Sequence, residues 1–351
     1  MQIEQLPLAI TGRSAWFGPQ FSQATDWQVR LTDAEILEIE RAARRCLDDN
    51  PDIAAISRNR FDLPTLAPTL RAIHRELIDG GGVMLVRGLP VNDWPLAVSA
   101  AAFYGLGMHL GNARPQNAKG HLLGHVIDMG KRSDDPNVRI YQTHERQTFH
   151  TDSCDIVGLL CLQQAKSGGD SAIVSSNTIY NVMRHECPAL AAALFDPIAT
   201  DRRGEVPPGQ KPYFEIPVFN WHAGLMSSIY QRQYIDSAQR FSDAMRLTPL
   251  HIEALDRFDT LANDTRLNFL MRLAPGDMQF VHNHTLLHDR TAFEDHPDPA
   301  RRRHLLRLWL SSPGARALPP VFAQRYGSVI PGERGGGLAP RTLWIAPLTP
   351  A

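Results

Sequence analysis

From residue 120 onward this 351-residue chain breaks into short apolar runs separated by turn residues: HLLGHVIDMG, VRIYQTHERQTFHTD, IVGLLCLQQA, SAIVSSNTIY, DMQFVHNHTLLHD and HLLRLWLSS. Runs of this kind read as strands. Upstream the pattern differs. TDAEILEIERAARRCLDD (32–49) has apolar residues at helical spacing, with Thr32 or Asp33 available as a cap. TLAPTLRAIHRELIDGGG reads as a helix closed by the glycines at 80–82, VMLVRGLPV as a strand, and PLAVSAAAFYGLGMHLG as a helix ending in glycine. The stretch from about 180 to 265 is mostly helical or irregular, with helices at TIYNVMRHECPALAAALF and TPLHIEALDRFDTLAN and a loop at RRGEVPPGQKPYFEIPVF. No repeat and no flexible linker divides the chain. The expectation is a single α+β domain over 1–351, a β core closed into a sandwich or barrel with helices packed outside.

Charge and cysteine usage narrow the class. The 36 basic and 37 acidic residues nearly cancel, so nothing global favours nucleic acid or an anionic membrane as a partner. Cys46, Cys154, Cys161 and Cys187 form no CxxC pair and read as free thiols in a reducing compartment. The start, MQIEQLPLAITGRSAWFG, has no basic segment followed by a long apolar one. No stretch approaches the roughly 18 consecutive apolar residues of a membrane span. A soluble cytoplasmic protein is the expectation.

Four motifs carry chemistry. In FHTD, His150 and Asp152 stand two apart. In an extended strand their side chains would share a face and start roughly 6.6 Å apart. An imidazole and a carboxylate so placed can converge on one metal ion; a plain hydrogen-bonded pair is the alternative. APGDMQFVHNHTLLHDRTAF carries His282, His284 and His288 at even separations, which a regular strand would align on one face. A bend at HNHT would break that alignment and leave His282 and His284 in a polar surface loop. In RRRHLLRLWLSS, Arg303 and Arg307 share a face with Leu305, while Leu306, Leu308 and Leu310 occupy the other. An inward arginine needs a partner, and a carboxylate of a dianionic ligand suits its planar fork; a basic edge strand is the alternative. SGGDSAIVSS (167–176) places a glycine turn before a strand, with Ser171 where its hydroxyl could turn inward.

Together, and in this order, the motifs resemble those of the TauD/TfdA-like family of Fe(II)- and 2-oxoglutarate-dependent dioxygenases. FHTD is similar to the family's W-H-x-D, with Phe149 replacing the tryptophan. SGGDSAIVSS resembles G-G-D-T-x-W-x-S, with serine at Ser171 for threonine, and NHTLLH resembles N-R-x-x-x-H, which selects His288. RRRHLLRLWL resembles the R-x-x-x-R strand, and GGGVMLVRGLPV looks like the strand with a terminal R-G that opens the core.

The resemblance implies a double-stranded β-helix (jelly roll) core at about 80–312, with flanking helices and a lid insertion at about 180–265. It implies that His150, Asp152 and His288 hold Fe(II) as a facial triad, leaving adjacent positions for 2-oxoglutarate and O2. Arg303, helped by Ser171, would grip the distal carboxylate of 2-oxoglutarate; Arg307 would touch either the co-substrate or an anionic substrate group. Asn112, Gln116 and Tyr141 are the candidate substrate contacts. The implied reaction is hydroxylation of a medium-sized organic molecule with release of succinate and CO2. Asp152 argues against halogenation, because related halogenases lack this carboxylate. Residues 200–240 mix Tyr213, Phe214, Phe219, Trp221 and Tyr230 with Arg202, Arg203 and Lys211, which suits a substrate with an apolar body and an acidic group; the same aromatics could simply pack under the lid.

His144, Glu145 and Asp155 read as a polar rim with loop contacts, and Cys154 and Cys161 as core thiols. Two other classes compete. A zinc hydrolase would use His282, His284 and His288 together, leaving HTD and both arginines unexplained. A non-catalytic jelly-roll binding protein would carry a decayed iron site, against which the intact triad argues. The helical exterior leaves room for a homo-oligomer.

Overall fold

The computed structural model describes residues 2–132, 138, 140–336 and 339–350. The Asp33–Asp49 helix starts where its cap predicts: the Thr32 hydroxyl accepts from the Glu35 N–H, and the Glu35 carboxylate accepts from the Thr32 N–H. Its apolar stripe, Ile39, Ala42, Ala43 and Cys46, packs with the helices Ala67–Asp79 and Leu96–Leu110 on one side of a large sheet. That sheet has seven strands, in the order Gln28–Arg30, Val83–Arg87, Met278–His282, Ile156–Gln163, His304–Ser311 and Asn112–Ala113, with Leu123–Val126 also paired to His304–Ser311. All its pairings are antiparallel except the first.

A second, antiparallel sheet of four strands runs Asn268–Met271, Ser171–Ser175, Leu286–Arg290 and Gln147–His150. The two sheets face each other: Val83, Leu85, Val281 and Leu305 of the first share one apolar cluster with Ile173, Phe269, Met271 and Leu286 of the second. The outer face of the smaller sheet is covered by Ser176–Glu186, Pro188–Ala193 and Pro249–Ala262, against which Phe149, Val174 and Leu287 pack. Strand alternation does the sorting. Leu287 goes to the helices while Leu286 and His288 go inward. Leu306, Leu308 and Leu310 likewise meet helices while Leu305 faces the other sheet.

Most expected elements form, with four differences. VRIYQTHERQTFHTD gives a strand only over Gln147–His150, preceded by a 3-10 turn at Ile140–Gln142; Arg139 lies outside the described residues. DMQFVHNHTLLHD gives two strands in different sheets, because the chain crosses between them at residues 283–285. The core is an open pair of sheets and not a closed barrel, since each sheet ends in free edges. The loop expected at RRGEVPPGQKPYFEIPVF contains the strand Tyr213–Glu215, which pairs with Ala199–Asp201; a second hairpin joins Phe219–His222 to Leu225–Ser228. Among the described residues no helix is long and apolar enough to cross a membrane.

Candidate metal centre and its cavity

His150 closes the Gln147–His150 strand and lies directly across the ladder from His288, so their ring centroids are 4.2 Å apart. Asp152 is not on that strand, contrary to the expectation of one rigid element. It sits two residues beyond the strand's end, where the turn at 283–285 holds it: Asn283 Oδ1 accepts the Asp152 N–H at 2.9 Å, and the Asn283 amide donates to the carbonyls of Asp152 and Cys154. The Asp152 carboxylate then reaches 3.9 Å from His150 Nε2 and 3.8 Å from His288 Nε2. The three donor atoms lie within 4.8 Å of one another, the one such group of His, Cys, Asp or Glu among the described residues.

The protonation states suit a metal. His150 Nδ1 lies 2.8 Å from the Thr148 carbonyl, which assigns the N–H to Nδ1 and the lone pair to Nε2. The Gln147 amide donates into that lone pair at 2.8 Å and would yield it to a metal ion. Burial pushes both histidines down, His288 to about 3, so both rings are neutral, the form that ligates. Burial works against ionising Asp152, but Arg307, His288, His150 and the Trp309 hydrogen bond outweigh it and hold the carboxyl at about 2. Two neutral imidazoles and one carboxylate on one side of a cavity match the donor set of a facial iron triad.

Between the sheets this centre opens into a narrow cavity lined by Ser171, Gln279, Arg303 and Leu305 as well as the two histidines. Arg303 is 4% exposed. One of its terminal nitrogens reaches the Gly169 carbonyl at 3.4 Å; Nη1 is buried without a hydrogen-bond partner, as are both amide atoms of Gln279. Burial lowers Arg303 to about 10, which leaves it charged at neutral pH. A buried guanidinium with an unused donor calls for an acceptor.

Arg307 is committed differently. Its Nε donates to Gln116 Oε1 at 2.7 Å, Nη1 lies 3.4 Å from Asp152 Oδ2, and its Cζ sits 4.7 Å from the Tyr141 ring centroid and 5.1 Å from that of Trp309. Gln116 also donates to the Arg307 and Leu122 carbonyls, so it braces the arginine from behind and does not line the cavity. Tyr141 does line it. Asn112 lies elsewhere, donating to the Gly332 carbonyl at 2.9 Å and lining a separate surface groove.

On the other side of the ligands lies a second space, bounded by Asp152, Arg307 and Trp309 on one wall and by Arg202, Phe214, Tyr230 and Arg325 on the other. Of the aromatic residues expected near a substrate, Phe214 and Tyr230 reach it. Tyr213 and Phe219 pack in apolar clusters outside it, and Trp221 is 44% exposed.

His282 and His284 are fully buried and not in a surface loop. His284 Nε2 contacts Asp155 Oδ1 at 2.8 Å, and Asp155 also accepts from Arg334 Nε at 2.8 Å and from the Ser312 N–H at 3.0 Å. Asp155 is therefore the centre of a buried charged network and not part of a rim. The all-histidine cluster does not form, because the turn sends His288 into the sheet that holds His150. Sequence reasoning missed Trp309, whose indole N–H donates to Asp152 Oδ2 at 2.8 Å; its position two beyond Arg307, on the same strand face, was the available signal. Gln279, Asn283 and the Asp155–Arg334 pairing, 179 residues apart, had none.

The family described as taurine catabolism dioxygenase TauD, TfdA matches residues 48–309. FR-33289 synthase of Streptomyces rubellomurinus is 33% identical over 332 residues, covering 93% of this chain and 97% of that protein. The structure of an asparagine oxygenase in complex with Fe(II), 2S,3S-3-hydroxyasparagine and succinate superposes with a TM-score of 0.62 at 19% identity, over 81% of this chain and 93% of that one. The non-heme iron oxygenase OrfP, in complex with Fe and alpha-ketoglutaric acid, gives 0.62 at 14% identity with the same coverage. At those identities the likeness concerns the fold, and it agrees with two facing sheets of jelly-roll type.

Proposed function

The chain belongs to the TauD/TfdA family of dioxygenases, and from that premise we propose that it uses Fe(II), 2-oxoglutarate and O2 to hydroxylate a medium-sized anionic organic molecule. The observation that carries this is that His150 and His288, which converge with Asp152, line one cavity with the buried, partly unsatisfied Arg303. A metal site alone has no use for such a cation. A dicarboxylate keto acid needs both.

In this reading His150, Asp152 and His288 hold the iron from one side, and Arg303 with Ser171 holds the distal carboxylate of 2-oxoglutarate. Iron and 2-oxoglutarate, when bound, supply the oxidative chemistry that consumes O2 and releases succinate and CO2. Trp309 and Arg307 fix the orientation of the Asp152 carboxylate and keep it ionised. Val126, Val157 and Leu305 give the co-substrate space apolar walls that exclude water. The space beyond Asp152 receives the substrate and presents its C–H bond to the metal face.

The test is an anaerobic titration of metal-free protein with Fe(II) and 2-oxoglutarate, read by visible absorbance. Chelation of iron by the keto acid gives a weak metal-to-ligand charge-transfer band, expected in the wild type and absent in Asp152→Ala and His288→Ala. Metal binding without a band would overturn the reading.

A further inference from the structure

Gln279 lies within the Met278–His282 strand, 1% exposed, and lines the narrow cavity between the sheets. Its neighbours on that face are apolar. Leu85 and Leu159 stand opposite it on the two adjoining strands, and Val281 follows it on its own. An aliphatic side chain would continue this surface. The chain places an amide there instead, and neither Nε2 nor Oε1 has a hydrogen-bond partner within the protein. Burying an amide unpaired is unfavourable, so packing alone gives no reason for it.

Strand register locates this amide along the cavity. Gln279 stands opposite Leu159, which in turn stands opposite Arg307. Two residues along, Val281, Val157 and Trp309 make the next row, and Trp309 reaches the Asp152 carboxylate. In the other direction Leu305 stands opposite Cys161, with Arg303 beyond it. Gln279 therefore occupies the row between the metal-ligand end and the Arg303 end. Ser171 and His288 line the same cavity from the facing sheet. The carboxylate of Asp289 also borders it, but Arg146 engages that group. A buried amide and the buried Nη1 of Arg303, each without a partner, thus share one enclosed space.

We infer that Gln279 is a further contact for 2-oxoglutarate, its amide N–H donating to the distal carboxylate beside Arg303 and Ser171. This rests on the oxygenase reading and deepens it. A carboxylate offers about four lone-pair positions, so a guanidinium and one hydroxyl leave room for another donor. Gln279 Oε1 then has the donors of Arg303 and Ser171 in the same cavity to draw on. A neutral amide adds its bond without adding charge. It selects for a keto acid that ends in a carboxylate, and the unpaired amide is the cost carried by the empty cavity.

Anaerobic titration of the Fe(II)-loaded protein with 2-oxoglutarate, and separately with 2-oxopentanoate, tests this through the charge-transfer band. The second acid keeps the chelating end and lacks the distal carboxylate. Gln279→Met keeps the side-chain length and removes both polar atoms; Gln279→Leu, which copies the neighbouring positions, is the second variant. In each, the Kd for 2-oxoglutarate should rise by about tenfold, while that for 2-oxopentanoate stays near the wild-type value. The denaturation midpoint of the metal-free variants should equal or exceed that of the wild type, because no internal bond is lost. An unchanged Kd for 2-oxoglutarate would overturn the contact. So would an equal loss with both keto acids, or a fall in the metal-free midpoint accompanied by such a loss, either of which marks a structural amide. Absence of the band in the wild type is a different failure: it removes the oxygenase reading, and this contact with it.

Discussion

Trp309 donates its indole N–H to Asp152 Oδ2 at 2.8 Å, on the carboxylate oxygen that also faces His288 Nε2 at 3.8 Å. The ligand is thereby aimed by a residue that does not itself bind metal. Outer contacts of this kind tune metal sites. Trp309→Phe keeps the ring and removes the donor. Its affinity for Fe(II) should fall by about ten- to a hundredfold, while 2-oxoglutarate binding at saturating metal stays near the wild-type value. Anaerobic metal titration measures both, and an unchanged metal affinity would show that the indole only packs.

Arg303 has a buried donor without a partner in the cavity that His150 and His288 line, where we propose that 2-oxoglutarate binds. Arg303→Gln should raise the KM for 2-oxoglutarate by roughly ten- to a hundredfold, as expected for a lost charge-assisted bond. Arg303→Lys should recover only part of it, because lysine cannot present two parallel donors. Steady-state kinetics at saturating substrate would separate this from damage to the metal, which would lower kcat as well.

Asp155 and Arg334 are both fully buried, 2.8 Å apart, with His284 on the same carboxylate. Asp155→Asn would leave the Arg334 charge unpaired, at a cost of about 3–5 kcal/mol. The denaturation midpoint should drop sharply. In that background Arg334→Met should restore part of the loss. If Asp155→Asn denatures at the wild-type midpoint, the network carries no stability.

His125 Nε2 donates to the Pro347 carbonyl at 2.9 Å, so its Nδ1 accepts from His304 Nε2 at 2.8 Å and both rings are neutral. Burial, with His125 adding to it, lowers His304 to about 4 from an ordinary 6.5. The unfolded chain therefore takes up the proton first. The stability contributed by His304 is complete above pH 6.5 and is lost as pH falls from there toward 4. About 2 kcal/mol is gone at pH 5 from this group alone. Denaturant midpoints between pH 7 and 5 should fall less steeply in the His125→Gln/His304→Gln double variant than in the wild type; parallel curves would remove these histidines as the cause.

Much of this architecture was legible along the chain. Apolar spacing placed the Asp33–Asp49 and Pro249–Ala262 helices, and strand alternation put Leu306, Leu308 and Leu310 opposite Leu305 and Arg307. The order of motifs chose His288 among three histidines, and the structure brings it to His150 and Asp152. What alternation could not supply was the point where a strand changes sheets. Residues 283–285 make that crossing, so His282 and His284 leave the line that even spacing drew. Nor can local pattern show partners joined only by tertiary folding. Gln116 meets Arg307 across 191 positions, and Asp155 meets Arg334 across 179. Asn112, in the same stretch as Gln116, faces another groove, because the short Asn112–Ala113 strand pairs at the far end of His304–Ser311.

The two walls around Asp152 have different origins. One is built from the strands and crossing turn of the paired sheets. The other comes from the hairpin segment that includes Arg202 and Phe214 and from the helix that carries Arg325. The two walls are therefore separate parts of the chain. The second wall is tied to the ligand loop only through Arg325 on Ser153, Tyr326 on the Asp152 carbonyl and Tyr230 on Thr151, whereas a one-residue slip in the strand bearing Arg307 would turn Trp309 and the leucines onto each other's faces and strip the Asp152 carboxylate of its supports.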